Sequence, residues 1–107
     1  MTIGDTAATM TPDLAPLRAA LRAELERHGE ILDDLSSRAA PNVDPVAYMT
    51  TVETRRTMAR IEAALDRIAA GTYGRCIRCG GAIVVERLEI LPYVETCVEC
   101  QSALERP

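Results

Sequence analysis

The sequence predicts a mostly α-helical chain: an antiparallel two-helix coiled-coil hairpin followed by a small four-cysteine finger with a short C-terminal helix. Three observations carry that fold class. Leucines recur at steps of three and four from Leu14 to Leu35, a proline-bearing break precedes a second apolar run, and two Cys-x-x-Cys pairs follow.

Residues 1–10 read as a disordered N-terminus. They have neither a basic n-region nor an apolar h-region, so no signal peptide is expected. Thr11-Pro12-Asp13 reads as a helix start, with Thr11 as N-cap, Pro12 at N1, and Asp13 near the positive end of the dipole. The first seam is Leu14, Leu17, Leu21, Leu25, His28, Leu32 and Leu35, whose mean step of about 3.5 residues is that of a coiled coil. Gly29 lies within it and costs about 1 kcal/mol relative to Ala, too little to end the helix. Residues 39–45 break it, because Pro41 and Pro45 forbid continuation and Asn42 and Asp44 favour turns.

Asp44-Pro45 opens the second helix as N-cap and N1. Its expected seam is Val46, Met49 and Val52, then, past an interruption at Arg55-Arg56, Met58, Ile61, Leu65 and Ile68. A short turn between two such helices makes an antiparallel hairpin over residues 11–70, with its tip at about 40–45. Helices of about 26 to 28 residues would be roughly 40 Å long. Gly71 is the expected C-cap, and residues 71–107 form the finger.

Composition agrees with this division. The 107 residues include no Phe, no Trp and three Tyr, so the core must be built from Leu, Ile, Val and Ala. So small a chain with so few bulky side chains needs a staple. The net charge is −4, and every basic residue is Arg. The finger carries four Arg against five Glu, without the cationic face that duplex binding requires, so no direct DNA contact is expected. No apolar run approaches the ~20 residues of a membrane span, and a cytoplasmic location is expected.

In a reducing compartment two cysteine pairs read as a metal site before they read as disulfides. Cys76-x-x-Cys79, seventeen residues, then Cys97-x-x-Cys100 is a strong zinc pattern, because each two-residue gap brings two sulfurs to one tetrahedral ion. Gly80 and Gly81 supply the positive φ needed where the chain folds back. Ile83-Val84-Val85 is β-prone, and Pro92 limits the next segment. Four cysteine ligands leave no open coordination position, so the expected cofactor is one structural Zn²⁺. No nucleophile–base set and no Gly-rich phosphate loop occurs in the sequence, so no enzyme is expected.

In order, the finger is Tyr73-Gly74-x-Cys76-x-x-Cys79-Gly80-x-x-Ile83-x-x-x-Arg87-Leu88-Glu89-x-x-Pro92-x-x-x-x-Cys97-x-x-Cys100. This resembles the four-cysteine finger of the DksA/TraR family of bacterial transcription regulators, in register without a gap over the whole stretch. The resemblance implies a protein that binds RNA polymerase, its hairpin entering the secondary channel with acidic residues acting at the tip. Some family members cooperate with ppGpp, which the resemblance alone raises here.

The family's tip has two Asp three apart, then Ala two further on. Here Asp44 matches the first, Ala47 stands at the second, and Met49 stands at the Ala. Helix two is also shorter than in DksA, by about three turns.

The candidate partner-binding residues at the tip are therefore Asp44, Tyr48 and Met49. Arg87 is a candidate partner or nucleotide contact, set beside a plainer role in tying the finger's backbone. Asp44 has the plainer reading of an N-cap, Tyr48 and Met49 that of a hydrophobic staple, and His28 that of seam packing. Two other functions remain open at this point. One is a zinc-stapled protein-interaction module; the other is a GATA-like DNA-binding finger, whose basic helix and tail are missing here.

Overall fold

A computed structural model describes residues 14–38 and 40–106; the expectations for residues 1–10 and for Thr11-Pro12-Asp13 lie outside it. Four helices follow in order: α1 (Ala15–Ser36), α2 (Pro45–Ala70), α3 (Val85–Ile90) and α4 (Val98–Glu105). The first two form the hairpin and the last two belong to the finger. The molecule measures 65 × 35 × 20 Å. No described helix is long and apolar enough to cross a membrane.

Helix α1 has 22 residues, fewer than the sequence reading gave it, with Leu14 at its N-cap and Pro16 in its first turn. Its seam is as expected: Leu14, Leu17, Leu25, His28, Leu32 and Leu35 are half-buried and Leu21 is buried. Helix α2 starts where Asp44 caps it, Oδ1 accepting from the Ala47 N–H at 3.0 Å. It ends at Gly71, which adopts φ 77° while the Gly71 and Thr72 N–H groups bond Ile68 and Arg67 carbonyls. That is a left-handed glycine cap.

The seam of α2 differs from expectation in its first half. Val46 and Met49 are 76% and 55% exposed, whereas Ala47, Thr51 and Thr54 are buried. The true seam runs Ala47, Thr51, Thr54, Met58, Ile61, Leu65 and Ile68, in steps of four and three without interruption at Arg55-Arg56. Threonine is tolerated there because its hydroxyl finds a partner on its own helix. Thr51 Oγ1 donates to Ala47 O at 2.9 Å, and Thr54 Oγ1 to Thr50 O at 2.7 Å. Small seam residues also let the helices approach closely, and a Cβ at Gly29 would lie 3.9 Å from Met58 Cε.

The core lies at the opposite end of the hairpin. Leu21, Ile61, Ala64 and Ile68 are buried there, with Leu14, Leu17, Leu25 and Leu65 around them. Tyr73 and Tyr93 of the finger pack on the same cluster, so hairpin and finger share one core. The Tyr73 hydroxyl donates to Pro92 O at 2.8 Å. Burial raises the Tyr73 pKa, partly offset by the nearby Arg67 guanidinium. Arg67 Nη1 lies 4.0 Å from Glu95 Oε2, linking α2 to the segment that leads into the second cysteine pair.

Candidate metal centre

The finger has little regular structure, and its shape is set by turns around the cysteines. Among the described residues there is no extended strand; a single isolated antiparallel bridge pairs Arg75 with Ala82. The β-prone stretch Ile83-Val84-Val85 therefore does not form a strand. Ile83 is buried and its N–H bonds Gly74 O at 2.8 Å, while Val85 already opens α3. β-propensity expresses fit to a half-buried pleated surface, and no neighbouring strand supplies one.

The first knuckle closes when Gly80 N–H bonds Cys76 O at 2.9 Å and Cys76 N–H bonds Gly81 O at 2.8 Å. Gly80 has φ 75°, as the turn requires. Gly81 does not share that conformation. A Cβ there would sit 3.4 Å from Cys79 Sγ, so its lack of a side chain serves close approach to sulfur. The second knuckle sits at the N-terminus of α4, where Cys97 Sγ accepts from the Cys100 N–H at 3.4 Å. The two knuckles are clamped together by Ile77 N–H on Glu95 O at 2.9 Å.

All four sulfurs, of Cys76, Cys79, Cys97 and Cys100, lie within 4.8 Å of one another. Cys79 Sγ and Cys97 Sγ are 3.8 Å apart. A tetrahedron with Zn–S bonds of 2.3 Å has edges of about 3.8 Å, so the arrangement suits one zinc ion. Backbone N–H groups of Arg78 and Gly81 point at Cys76 Sγ and Cys79 Sγ, each at 3.4 Å, and favour the thiolate form.

The electrostatics call for a cation. The N–H groups of Cys79 and then Cys97 draw the Cys76 thiol down to about 6. Cys100 is pushed up to about 12, chiefly by the side chains of Cys97 and Cys76. Cys97 is lowered by the Cys100 N–H, but burial and its sulfur neighbours outweigh that and leave it raised. Once one sulfur ionises the others resist, as like charges at this spacing must. A divalent cation among them removes that repulsion.

The remaining predicted residues lie elsewhere. Asp44, Tyr48 and Met49 are at the far end of the hairpin, with the Asp44 carboxylate acting as helix cap. Tyr48 and Met49 are 38% and 55% exposed, so they do not close over the turn as the expected staple would. His28 is half-buried on the seam, its Nδ1 2.8 Å from Glu24 O. Arg87 Nε donates to Thr96 O at 3.0 Å, tying α3 to the second knuckle.

Sequence reasoning passed over Thr96. It is buried and bonds the Gln101 side chain at 2.8 Å, bracing the start of α4; its position directly before Cys97 was the available signal. It also missed an open groove of about 770 Å³ between α2 and the finger, where Arg60, Arg78 and Arg87 gather around Ile77, Leu91 and Val98. These residues are far apart in sequence and no local pattern joins them.

With this geometry in place, comparison with known proteins is informative. The family model of the prokaryotic dksA/traR C4-type zinc finger matches residues 71–106. The RNA polymerase-binding transcription factor DksA of Caulobacter vibrioides is 34% identical over 87 residues, covering 80% of this chain and 58% of that protein. General stress protein 16O of Bacillus subtilis is 28% identical over 98 residues, covering 91% and 54% respectively. The chain thus spans little more than half the length of these relatives.

Among solved structures, transcription factor DksA2 from Pseudomonas aeruginosa superposes with a TM-score of 0.58 at 25% identity, covering 86% of this chain and 77% of that one. The RNA polymerase-binding regulator Dks from Chlamydia trachomatis gives 0.52 at 24% identity, over 88% and 93%, a likeness of fold alone.

Proposed function

Since the chain belongs to the DksA/TraR C4-type zinc-finger family, we propose that it is a bacterial transcription regulator that binds RNA polymerase with its coiled-coil hairpin. The hairpin enters the secondary channel tip first, and the finger holds its base. The observation that carries this reading is the joining of a family finger to an antiparallel hairpin through a shared core. A helix of 26 residues gives an arm of about 39 Å, slender enough to enter a channel.

One zinc ion held by Cys76, Cys79, Cys97 and Cys100 is structural in this reading. Four sulfurs fill a tetrahedral shell, so no position is left for water or substrate, and the protein acts by binding and not as an enzyme. Zinc also supplies folding free energy to a finger that has no strand among its described residues and few buried side chains. Asp44, Tyr48 and Met49 form the end that meets the partner first. Arg87 sits in the groove beside Arg60 and Arg78, where a second polymerase contact, or a nucleotide, would fall.

The test is binding of the zinc-loaded protein to bacterial core RNA polymerase, with footprinting of the secondary channel. Micromolar or tighter binding with protection inside the channel is expected. No binding at micromolar concentration would remove the proposal and leave an interaction module whose partner lies elsewhere.

A further inference from the structure

We propose that Thr96 and Gln101 are positioning residues for the zinc centre. Together they form a polar staple that sets the angle at which the chain enters α4, and so holds Cys97 and Cys100 at the ion. Among the described residues the buried polar side chains are Thr51, Thr54 and Thr96. Thr51 and Thr54 return their hydroxyls to carbonyls one turn back on α2, as a threonine within a helix can. Thr96 stands before its helix, not within it. At 4% exposure, its hydroxyl reaches forward to Gln101 Oε1 at 2.8 Å. Valine would fill the same volume without a hydroxyl to desolvate, so what Thr96 adds is this bond.

The direction of the bond is fixed by its neighbour. Gln101 Nε2 donates to Glu105 Oε2 at 2.9 Å, because a carboxylate only accepts. The amide oxygen is left for Thr96, whose hydroxyl must donate. Cys97 caps α4 and Val98 is its first residue, so Thr96 immediately precedes the cap and Gln101 is the fourth helical residue. A side-chain contact between those two positions fixes how the chain enters a helix. In most proteins that pair is apolar; here it is hydrogen-bonded.

Entry angle matters because the cap and the third residue of α4 are both zinc ligands. Cys97 Sγ accepts from the Cys100 N–H at 3.4 Å, so a rotation at residue 96 carries one sulfur away from the other. The first cysteine pair is closed by its own backbone, through Gly80 N–H on Cys76 O and Cys76 N–H on Gly81 O. The second pair is instead fixed by what precedes it. Glu95 O accepts from Ile77 N–H at 2.9 Å and Thr96 O from Arg87 Nε at 3.0 Å. The staple adds the side chain of Thr96 to these two backbone ties. Groups that orient a metal ligand in this way are worth roughly ten- to a hundredfold in metal affinity.

The experiment compares the full chain as wild type, Thr96→Val, Thr96→Ser, Gln101→Leu and the double variant Thr96→Val/Gln101→Leu. Zinc affinity is read by competition with a chromogenic chelator. The proteins are also alkylated with N-ethylmaleimide in excess zinc, and the first cysteine modified is mapped by mass spectrometry. Thr96→Val and Gln101→Leu are each expected to lose roughly tenfold in zinc affinity. First alkylation should speed up by a similar factor at Cys97 and Cys100, while Cys76 and Cys79 stay within about twofold of wild type. Thr96→Ser keeps the hydroxyl and is expected to stay within about threefold of wild type in affinity. The double variant rebuilds the staple from two apolar side chains and is expected to lose no more than either single change.

Faster alkylation spread evenly over all four cysteines would mean that the pair only stabilises the finger, and overturns the proposal. Unchanged zinc affinity in both single variants overturns it too. So does a Ser variant as weak as the Val variant, or a double variant whose loss is the product of the two single losses. Should Thr96→Val fail to fold with zinc, by circular dichroism, the half-buried Gln101 carries the same comparison through Gln101→Leu. All readouts are metal and thiol chemistry, so the result is independent of polymerase binding.

Discussion

The two ends of the hairpin are built on opposite plans. At the base, Leu21 and Ile61 are 1% and 0% exposed, Ala64 and Ile68 are buried beside them, and two tyrosines of the finger complete the cluster. At the tip, the seam is Ala47, Thr51 and Thr54, and the larger apolar residues face outward. Hydrophobic free energy scales with apolar area removed from water, so stability is concentrated at the base. The tip is held by a helix cap, by backbone hydrogen bonds and by the continuity of two helices fixed at their other end. An arm anchored at one end and lightly packed at the other is compatible with the insertion proposed above.

That contrast is broken most completely by removing zinc. Structural zinc contributes on the order of 10 kcal/mol or more to a small finger, comparable to the stability of a whole domain. Strong chelation is expected to collapse the NMR dispersion of residues 71–106 and, through Tyr73 and Tyr93, to loosen the hairpin base before the tip. Retention of native dispersion after chelation would refute the dependence.

Next in size is a cavity in the base. Ile61→Ala removes a fully buried side chain and is expected to cost about 3 kcal/mol by urea unfolding. The matching change at the tip, Thr54→Val, exchanges a hydroxyl already satisfied within α2 for a methyl of similar size. It is expected to change stability by less than about 1 kcal/mol. A cost at Thr54 equal to that at Ile61 would erase the distinction between the two ends.

Smaller effects refine the comparison. Tyr73→Phe deletes the bond to Pro92 O and is expected to cost about 1 kcal/mol, seen as a lower urea midpoint. Asp44→Ala should cost a similar amount through loss of the cap, whereas Asp44→Asn should cost only a few tenths of a kcal/mol. Equal losses for the Ala and Asn variants would show that charge, not capping, is what Asp44 contributes.

Much of this was legible in sequence because it depends on local spacing. The leucine period fixed the buried face of α1, Asp44-Pro45 marked the start of α2, and Gly71 marked its end. The two Cys-x-x-Cys pairs named the metal site, because four thiolates within reach of one another admit few other uses. Gly80 followed from the turn geometry that its knuckle demands.

Tertiary structure alone decided which face of α2 is buried near the tip. Hydrophobicity pointed to Val46 and Met49, but helix separation is set jointly by both partners. The close approach there admits Ala and Thr, whose hydroxyls are satisfied by their own helix. The strand expected at Ile83-Val84-Val85 failed for a similar reason, since a strand needs a neighbour that this finger does not provide. The shared core of Tyr73 and Tyr93 with the hairpin, and the groove around Arg60, Arg78 and Arg87, join residues distant in sequence. Local pattern determines what an element can bury; only its packing against another element determines what it does bury.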